Sequence, residues 1–141
     1  MRTQEITIPT SGEGFYDITD TIQKEIASYN AEESCREGIL VLYIPHTSCA
    51  LTINESYDPT AKEDMENFLR YLAPENLKFI RHTSEGPDDS PSHMKSILLQ
   101  TSLTIPIDQG KLCLGTWQGI YLCEFRKDNK KRKVLLKLMR G

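Results

Sequence analysis

The second half of the chain is a series of short strands separated by turns, and this feature restricts the fold more than any other. Residues 102–107 alternate polar and apolar side chains, and Asp108-Gln109-Gly110 predicts a tight turn into a returning segment at 111–114. A further strand is predicted over 120–125, a turn over 127–130 and a last strand over 133–139. Since strands joined by tight turns pair antiparallel, we expect a largely antiparallel sheet or sandwich.

The first half of the chain adds strands and a turn. Residues 5–8 alternate in the same way, a turn follows over 11–14, and a strand over 15–18 is expected to be the hairpin partner of the first. The continuous apolar run at 39–44 predicts a central strand that is covered on both faces. Another strand is predicted over 49–54.

Three helices are predicted between these strands. The first runs from Thr19 or Asp20 to about Glu33, the second starts at Asp58-Pro59, and the third runs from Ser90-Pro91 to about residue 100. Their expected buried faces are Ile22, Ile26 and Tyr29 in the first, Ala61, Met65, Phe68, Leu69 and Leu72 in the second, and Met94, Ile97 and Leu98 in the third. We therefore predict a single α+β domain over 1–141, a largely antiparallel sheet or sandwich with about three packed helices.

Composition and charge exclude several classes of protein. An apolar fraction of 38% supports one core, no run of eighteen apolar residues occurs, and the N-terminal residues lack the apolar segment of a signal peptide, so we expect a cytoplasmic protein without a membrane partner. A net charge of −3 argues against nucleic-acid binding through a broad basic face. The basic residues at 126–133 are expected to be a solvated turn. Cys49, Cys113 and Cys123 stand in apolar runs and are expected to be buried, and no Cys-x-x-Cys pair or disulfide framework is indicated among the four cysteines, which include Cys35.

The three histidines are the first candidates for chemistry. His46 ends an apolar run, while His82 and His93 bound a loop rich in carboxylates, glycine and proline. Three imidazoles with an open coordination position predict a site for zinc or a similar divalent ion, although the spacing matches no compact ligand motif. The alternative is that each histidine is an ordinary hydrogen-bonded polar residue of a loop.

Two acidic groups and a glycine-rich segment are the other candidates. The groups Glu85, Asp88, Asp89 and Asn54, Glu55, Asp58 suit Mg²⁺ bridged to substrate phosphates, or the orientation of protonated histidines, or helix capping, which is the expected role of Asp58. Residues 115–119 offer backbone N–H groups to an anion, and Trp117 offers a ring for stacking on a flat ligand. A β-bulge with a core tryptophan explains the same segment equally well.

Three segments together resemble a known family. They are residues 45–55, which begin Pro45-His46-Thr47-Ser48, residues 82–93, from His82-Thr83-Ser84-Glu85 to Ser92-His93, and residues 114–124, which contain Gly115-Thr116-Trp117-Gln118-Gly119. In this order they resemble the YjbQ family, described as secondary thiamine-phosphate synthases, over nearly the full chain.

The resemblance implies a fold, an assembly and an activity. The fold is an α+β sandwich that assembles as a cytoplasmic homotrimer with sites near subunit boundaries. The activity joins a pyrimidine-methyl pyrophosphate to a thiazole phosphate with release of pyrophosphate, as the main reaction or as a side activity. The residues expected at the site are His46, His82, His93 and Glu85 for catalysis, the three histidines also as ligands of a divalent metal (Zn or Mg), and Ser48, Asn54, Glu55, Asp88, Thr116, Trp117 and Gly119 for substrate binding.

Three functions therefore compete at this point. The first is the thiamine-phosphate synthase type of transferase, whose partners are small phosphorylated heterocycles. The second is a metal-dependent hydrolase that uses the three histidines, with Glu85 as general base. The third is a non-catalytic binder of small molecules or anions, which is favoured by the scarcity of lysine and arginine in the three segments.

Overall fold

The fold is built from eight strands and three helices in the part of the chain that is described. The structure, a computed structural model, describes residues 3–33 and 36–141, with the backbone alone at 29–33. Cys35 and the side chain of Tyr29 lie outside the described residues. The elements are β1 (Gln4–Ser11), β2 (Gly14–Asp17), α1 (Thr19–Glu33), β3 (Gly38–Tyr43), β4 (Cys49–Glu55), α2 (Pro59–Leu72), α3 (Asp89–Ser96), β5 (Ser102–Asp108), β6 (Lys111–Leu112), β7 (Gln118–Glu124) and β8 (Asn129–Arg140).

The strands form two antiparallel sheets that pack face to face. A five-stranded sheet has the order β1-β8-β3-β5-β6, and a three-stranded sheet has the order β2-β7-β4. The main core lies between them, where Leu40 and Val134 of the first sheet meet Leu51 and Leu122 of the second, and Ile22 of α1 joins the same core. The predicted antiparallel α+β class with three helices is confirmed.

The other face of the three-stranded sheet carries a second, smaller core. Phe15, Tyr121 and Phe125 pack there with Leu69 of α2. Helix α3 also contacts β4. This arrangement gives three layers: the five-stranded sheet, the three-stranded sheet, and helices α2 and α3 on the far side of the three-stranded sheet.

The predicted hairpin between the first two strands is wrong. Strand β1 pairs with β8 and strand β2 pairs with β7, so the two strands belong to different sheets. The turn between them contains Gly12 at a φ of 105°, a conformation that L side chains rarely adopt. This turn carries the chain from one sheet to the other.

Strand β3 is central in its sheet but is covered on one face only. Leu40 and Leu42 are fully buried, whereas Ile39 and Tyr43 are 43% and 46% exposed. Met139, the partner of Ile39 on β8, is also half exposed. The expectation of cover on both faces is therefore wrong: within the described residues, no layer lies on the outer face of the five-stranded sheet.

Helix α2 begins as predicted but buries less than predicted. The Asp58 carboxylate caps it by accepting from the Thr60 backbone N–H at 2.9 Å, and Pro59 occupies the first turn. Leu69 is buried, whereas Phe68 and Leu72 are exposed. The helix thus contacts the sheet through a narrow stripe.

Helix α3 is shorter than predicted and buries a different face. It ends at Ser96, leaves Ile97 82% exposed, and buries Ser92 and Lys95. The reason is hydrogen bonding: the Ser92 hydroxyl donates to the Asp89 carbonyl, and Lys95 Nζ lies 2.8 Å from the Glu13 carboxylate. Burial of a polar group costs little free energy when the group is hydrogen-bonded, so hydropathy alone does not determine which face of the helix is buried.

Among the described residues, none of the helices has the length and apolar character needed to cross a membrane.

Candidate functional site

The first turn of α3 brings together a carboxylate and two histidines. Asp89 and His93 are four residues apart on one helix, so their side chains share a face. Asp89 Oδ2 lies 3.0 Å from His93 Nε2 and 2.9 Å from His82 Nε2, and the two imidazole rings have centroids 5.4 Å apart. We call His82, Asp89 and His93 the histidine–aspartate cluster. The loop before α3 supplies His82, so the local fold of residues 82–93 builds this group.

Arg126 holds the other side of the cluster. Its Nη1 donates to Asp89 Oδ1 at 2.7 Å, and its Nε donates to Asp88 Oδ2 at 3.0 Å. Its Nη2 donates to the backbone carbonyl of Glu85 at 2.9 Å. One guanidinium therefore fixes both the loop and the helix start, and it leaves Asp89 Oδ2 directed at the histidines.

Asp88 and Asp89 are both held in the ionised form. Burial by itself raises the pKa of the Asp89 carboxyl, but the hydrogen bond from His82 and the charges of His93 and Arg126 outweigh it and lower that pKa below its ordinary value. For Asp88, burial is likewise outweighed by bonds from the Lys127 backbone N–H and the Arg126 side chain, so its pKa is also lowered.

The hydrogen bonds of His93 restrict what can lie between its Nε2 and the Asp89 carboxylate to a proton or a cation. Its Nδ1 is 2.8 Å from the Thr47 backbone carbonyl, which can only accept, so Nδ1 carries a proton. Its Nε2 faces a carboxylate oxygen, which also only accepts. His93 therefore either carries a second proton, as an imidazolium, or turns the lone pair of Nε2 towards a bound cation.

The same group meets the requirements of a metal site. Ligand atoms of His82, Asp89 and His93 all lie within 4.8 Å of one another. A carbonyl that fixes the remaining ring nitrogen is the usual support of a metal-binding histidine. Two imidazoles with one carboxylate suit a transition metal such as Zn²⁺ better than Mg²⁺, which prefers oxygen ligands.

His46 lies near this cluster but is not among its converging ligand atoms. Its Nε2 accepts a hydrogen bond from the Lys133 backbone N–H at 2.9 Å, so that nitrogen is already used. Burial, and next the charge of Arg132, lower the pKa of His46 below its ordinary value. Of the three predicted histidine ligands, the structure thus brings two together, with Asp89 in the place expected for the third.

All three histidines nevertheless line one open cleft of about 750 Å³. The other residues of its wall mix small polar side chains with aliphatic ones: Thr47, Ser90, Ser96, Ile97, Leu99 and Thr101. A cleft of this size accommodates a small organic ligand. The three rings therefore share this cleft, although only those of His82 and His93 converge with Asp89.

A buried ion pair lies beneath His46. Glu124 is completely buried and accepts from Arg132 Nε at 2.7 Å and from Arg132 Nη2 at 2.6 Å. The Thr10 hydroxyl and the Phe125 N–H also donate to this carboxylate. Arg132 Nη2 in addition donates to the Ser48 hydroxyl at 2.8 Å. Ser48, a predicted substrate-binding residue, is therefore buried and supports the loop that carries His46.

Asp88 lies beside the cluster through its bond with Arg126, but the other predicted substrate-binding residues lie elsewhere. Strand β4 runs from Cys49, beside the histidine loop, to Glu55, and seven residues of strand span roughly 20 Å. At this far end β4 pairs with the start of β7, and the predicted residues found there are Asn54, Glu55, Thr116, Trp117 and Gly119. Within one chain this second group is separate from the cleft.

The geometry of the second group explains several of its members. Trp117 is 55% exposed and contacts Tyr57 edge to face with ring centroids 5.0 Å apart, so the alternative of a core tryptophan is wrong. The Glu55 carboxylate accepts from the backbone N–H groups of Tyr57 and Asp58, which is a structural role. A Cβ at Gly119 would lie 2.4 Å from the Ser56 hydroxyl, so close packing requires glycine there.

Glu85, the predicted general base, is exposed on the loop before α3. It contacts the site through its backbone carbonyl, which accepts from Arg126. The side chain that lies between the histidines is Asp89.

Sequence reasoning named Asp89 among the acidic candidates but not among the residues of the site, and it missed the two arginines. The basic segment at 126–133 was expected to be a solvated turn, but the side chains of Arg126 and Arg132 are only 15% and 7% exposed. The spacing of Asp89 and His93 was a usable signal, since i and i+4 positions share a helix face. It was missed because the helix was expected to start one or two residues later.

Comparison with known proteins agrees with the resemblance seen in the sequence. Residues 4–141 match the family model described as UPF0047 protein YjbQ-like. The chain belongs to this family. It is 43% identical to the UPF0047 protein YjbQ of Salmonella typhimurium over 133 residues, which cover 94% of each chain. It is 45% identical to the UPF0047 protein MJ1081 of Methanocaldococcus jannaschii over 113 residues, 80% of this chain and 76% of that protein.

Solved structures of similar proteins have the same fold. A yjbq/upf0047 family protein from Clostridium acetobutylicum superposes with a TM-score of 0.84 at 36% identity, covering 96% of this chain and 99% of that one. The hypothetical protein APE1520 from Aeropyrum pernix superposes with a TM-score of 0.87 at 27% identity over the whole of both chains. The architecture described above is therefore that of the YjbQ-like family.

Proposed function

We propose that this YjbQ-like chain is a transferase of the thiamine-phosphate synthase type, and that the histidine–aspartate cluster binds the pyrophosphate group of one substrate. The observation that carries the proposal is the position of Asp89 between His82 and His93, with Arg126 behind it. The resemblance of the three sequence segments to secondary thiamine-phosphate synthases supports the reaction.

The reaction needs what this cluster offers. The thiazole nitrogen attacks the methylene carbon of the pyrimidine-methyl pyrophosphate, the C–N bond forms, the C–O bond breaks, and pyrophosphate leaves with both bonding electrons. Negative charge therefore grows on the leaving oxygens, and hydrogen-bond donors fixed beforehand at that point lower the barrier. Both N–H groups of a doubly protonated His93 would already be bound, to the Thr47 carbonyl and to Asp89, so the positive charge at this point would come from a cation held by His82, Asp89 and His93.

A divalent cation is part of the proposal as a cofactor. His82, Asp89 and His93 would hold it, and their donor set favours Zn²⁺ over Mg²⁺. A bound divalent ion supplies Lewis-acid stabilisation of phosphate oxygens. The sequence had proposed His46 as the third ligand, and Asp89 fits that role better, because Nε2 of His46 already accepts from Lys133.

A metal-dependent hydrolase is the second candidate, favoured by one observation. The fixed ring of His93 and the close approach of three ligand atoms match a metal centre with open positions, which in hydrolases activates a water molecule. Both candidates use the same side chains, so product analysis rather than mutation of the cluster distinguishes them.

The test supplies purified protein with both phosphorylated substrates, with Mg²⁺, with Zn²⁺ or with a chelator, and measures thiamine phosphate and free pyrophosphate. We expect both products in equal amounts, and a loss of at least about a hundredfold in His82→Ala, the scale of a positioned acid–base or electrostatic group. Lys131→Ala, at an exposed position of β8, is the matched control. Pyrophosphate or phosphate without thiamine phosphate would favour the hydrolase, and binding without any turnover would leave a small-molecule binder.

We also propose that the chain acts as a homotrimer. Ile39, Tyr43 and Met139 expose apolar surface on the outer face of the five-stranded sheet, which supports contact with another copy. In such an assembly the second group around Trp117 of one copy would be able to contact the cleft of a neighbouring copy. Light scattering coupled to gel filtration measures the mass, and a monomer at micromolar concentration would contradict the proposal.

A further inference from the structure

The three histidines of the cleft differ in their hydrogen bonds, and His46 is the exception. Its Nε2 lies 2.9 Å from the Lys133 backbone nitrogen. A backbone N–H can only donate, so Nε2 must present its lone pair, and the proton of the neutral ring is on Nδ1. His93 has the opposite environment, with acceptors at both nitrogens.

The surroundings of His46 keep the ring uncharged. Burial lowers its pKa, and the Arg132 guanidinium and the Lys133 ammonium lower it further, while Glu124 opposes them. The Glu124 charge is largely neutralised, because Arg132 binds both of its carboxylate oxygens. A proton on Nε2 would also clash with the hydrogen of the Lys133 backbone N–H. The tautomer is thus fixed by the backbone of β8.

The Nδ1–H group is left for a ligand. Across the described part of the chain, this nitrogen has no hydrogen-bond partner, although the ring lines the cleft together with His82 and His93. A donor on the wall of an open cleft is available to an acceptor atom of a ligand. The cleft therefore has a neutral donor in addition to the charged histidine–aspartate cluster.

We propose that His46 is a fixed neutral donor, whose Nδ1–H binds an acceptor atom on the uncharged heterocycle of the substrate while the histidine–aspartate cluster binds the phosphate. The heterocycle part of this assignment rests on the proposed function. The division follows from charge: a phosphate binds most strongly to cationic donors, whereas a ring nitrogen or carbonyl oxygen needs a directed donor without net charge.

The tautomer is tested without any assay of activity. Two-dimensional ¹H–¹⁵N NMR of histidine-labelled protein separates a protonated from a bare ring nitrogen. At pH 7 we expect His46 with a proton on Nδ1 and a bare Nε2. A ring protonated on Nε2, or on both nitrogens, would overturn the inference whatever reaction the protein catalyses.

Two variants test the role of the donor. In His46→Asn the side-chain amide nitrogen takes the position of Nδ1 and keeps the donor, whereas in His46→Gln the amide reaches the position of Nε2 and the donor is lost. We expect KM for the pyrimidine substrate to rise by about tenfold in His46→Gln and by about twofold in His46→Asn, the scale of one neutral hydrogen bond. The Kd of inorganic pyrophosphate should be unchanged in both.

Each outcome decides a separate point. Equal effects of the two variants on KM, or a weaker Kd for pyrophosphate in either, would overturn the division of roles. If the wild-type protein forms no thiamine phosphate but His46 carries its proton on Nδ1, the proposed function and the heterocycle assignment fail, and the neutral donor itself stands.

Discussion

Replacement of Asp89 by asparagine is the most direct test of the site, because this carboxylate connects Arg126 to both histidines. The change keeps the shape of the side chain and removes its charge. Asp89 is only 5% exposed, and removal of one partner from a buried ion pair costs about 3–5 kcal/mol of unfolding free energy. The lower end of this range applies here, because Arg126 still pairs with Asp88 and both histidine rings are accessible to water.

We therefore expect Asp89→Asn to lose about 3 kcal/mol at pH 7. For 141 residues the unfolding entropy is roughly 0.3 kcal/mol per kelvin, so the melting temperature should fall by about 10 °C. Asp88→Asn is the matched control. It also faces Arg126 but does not contact the histidines, and Asn keeps an acceptor for the Lys127 N–H, so the loss should be about 1 kcal/mol.

The pH dependence has a defined sign. The pKa of Asp89 in the folded protein lies below its ordinary value, so its stabilisation is complete above the unfolded pKa of about 4. It is lost as the pH falls through the lower, folded value. The difference between wild type and Asp89→Asn, measured by urea denaturation, should therefore shrink as the pH falls below about 4. Equal stability of the two proteins at pH 7 would refute the reasoning.

Two further predictions concern the buried interior. Glu124→Leu should lose about 3–5 kcal/mol in urea denaturation because it leaves the Arg132 charge buried, whereas Glu124→Leu combined with Arg132→Met should lose less; a double variant less stable than the single one would contradict this. Native protein treated with a thiol reagent at pH 8 should be modified at Cys113, which is exposed. Cys49 and Cys123 should not react, because both are buried and burial raises the pKa of each thiol, that of Cys49 to about 12. Peptide mass spectrometry with and without denaturant measures this, and rapid labelling of either buried thiol in folded protein would be the contrary result.

The sequence predicted the type and order of nearly all elements, since their patterns are local. The strong start at Asp58-Pro59 and the alternation at 102–107 depend only on neighbouring residues, and both are confirmed. Pairing of strands was less predictable. The assignment of β1 to β8 rather than to β2 depends on contacts more than a hundred residues apart, which no local pattern contains.

The candidate site was predicted in part for the same reason. His82 and His93 were identified because titratable side chains on a short polar loop have no role in a core. Arg126 was missed because its partner Asp88 is 38 residues away along the chain. Cys113 was expected to be buried from its apolar neighbours, yet it is exposed beyond the end of the two-residue strand β6.

The position of β8 has a consequence for the way the chain acquires its shape. This strand lies between β1 and β3, and it also supplies Arg132 and the N–H that fixes His46. Contacts this distant in sequence make folding slow, on a scale of milliseconds to seconds for all-β proteins. The reason is that closing a large loop costs chain entropy before the pairing of β8 with β1 stabilises the chain. Until β8 arrives, β1 and β3 present unpaired edges. A chaperone that shields exposed strand edges should therefore raise the yield of refolding from denaturant.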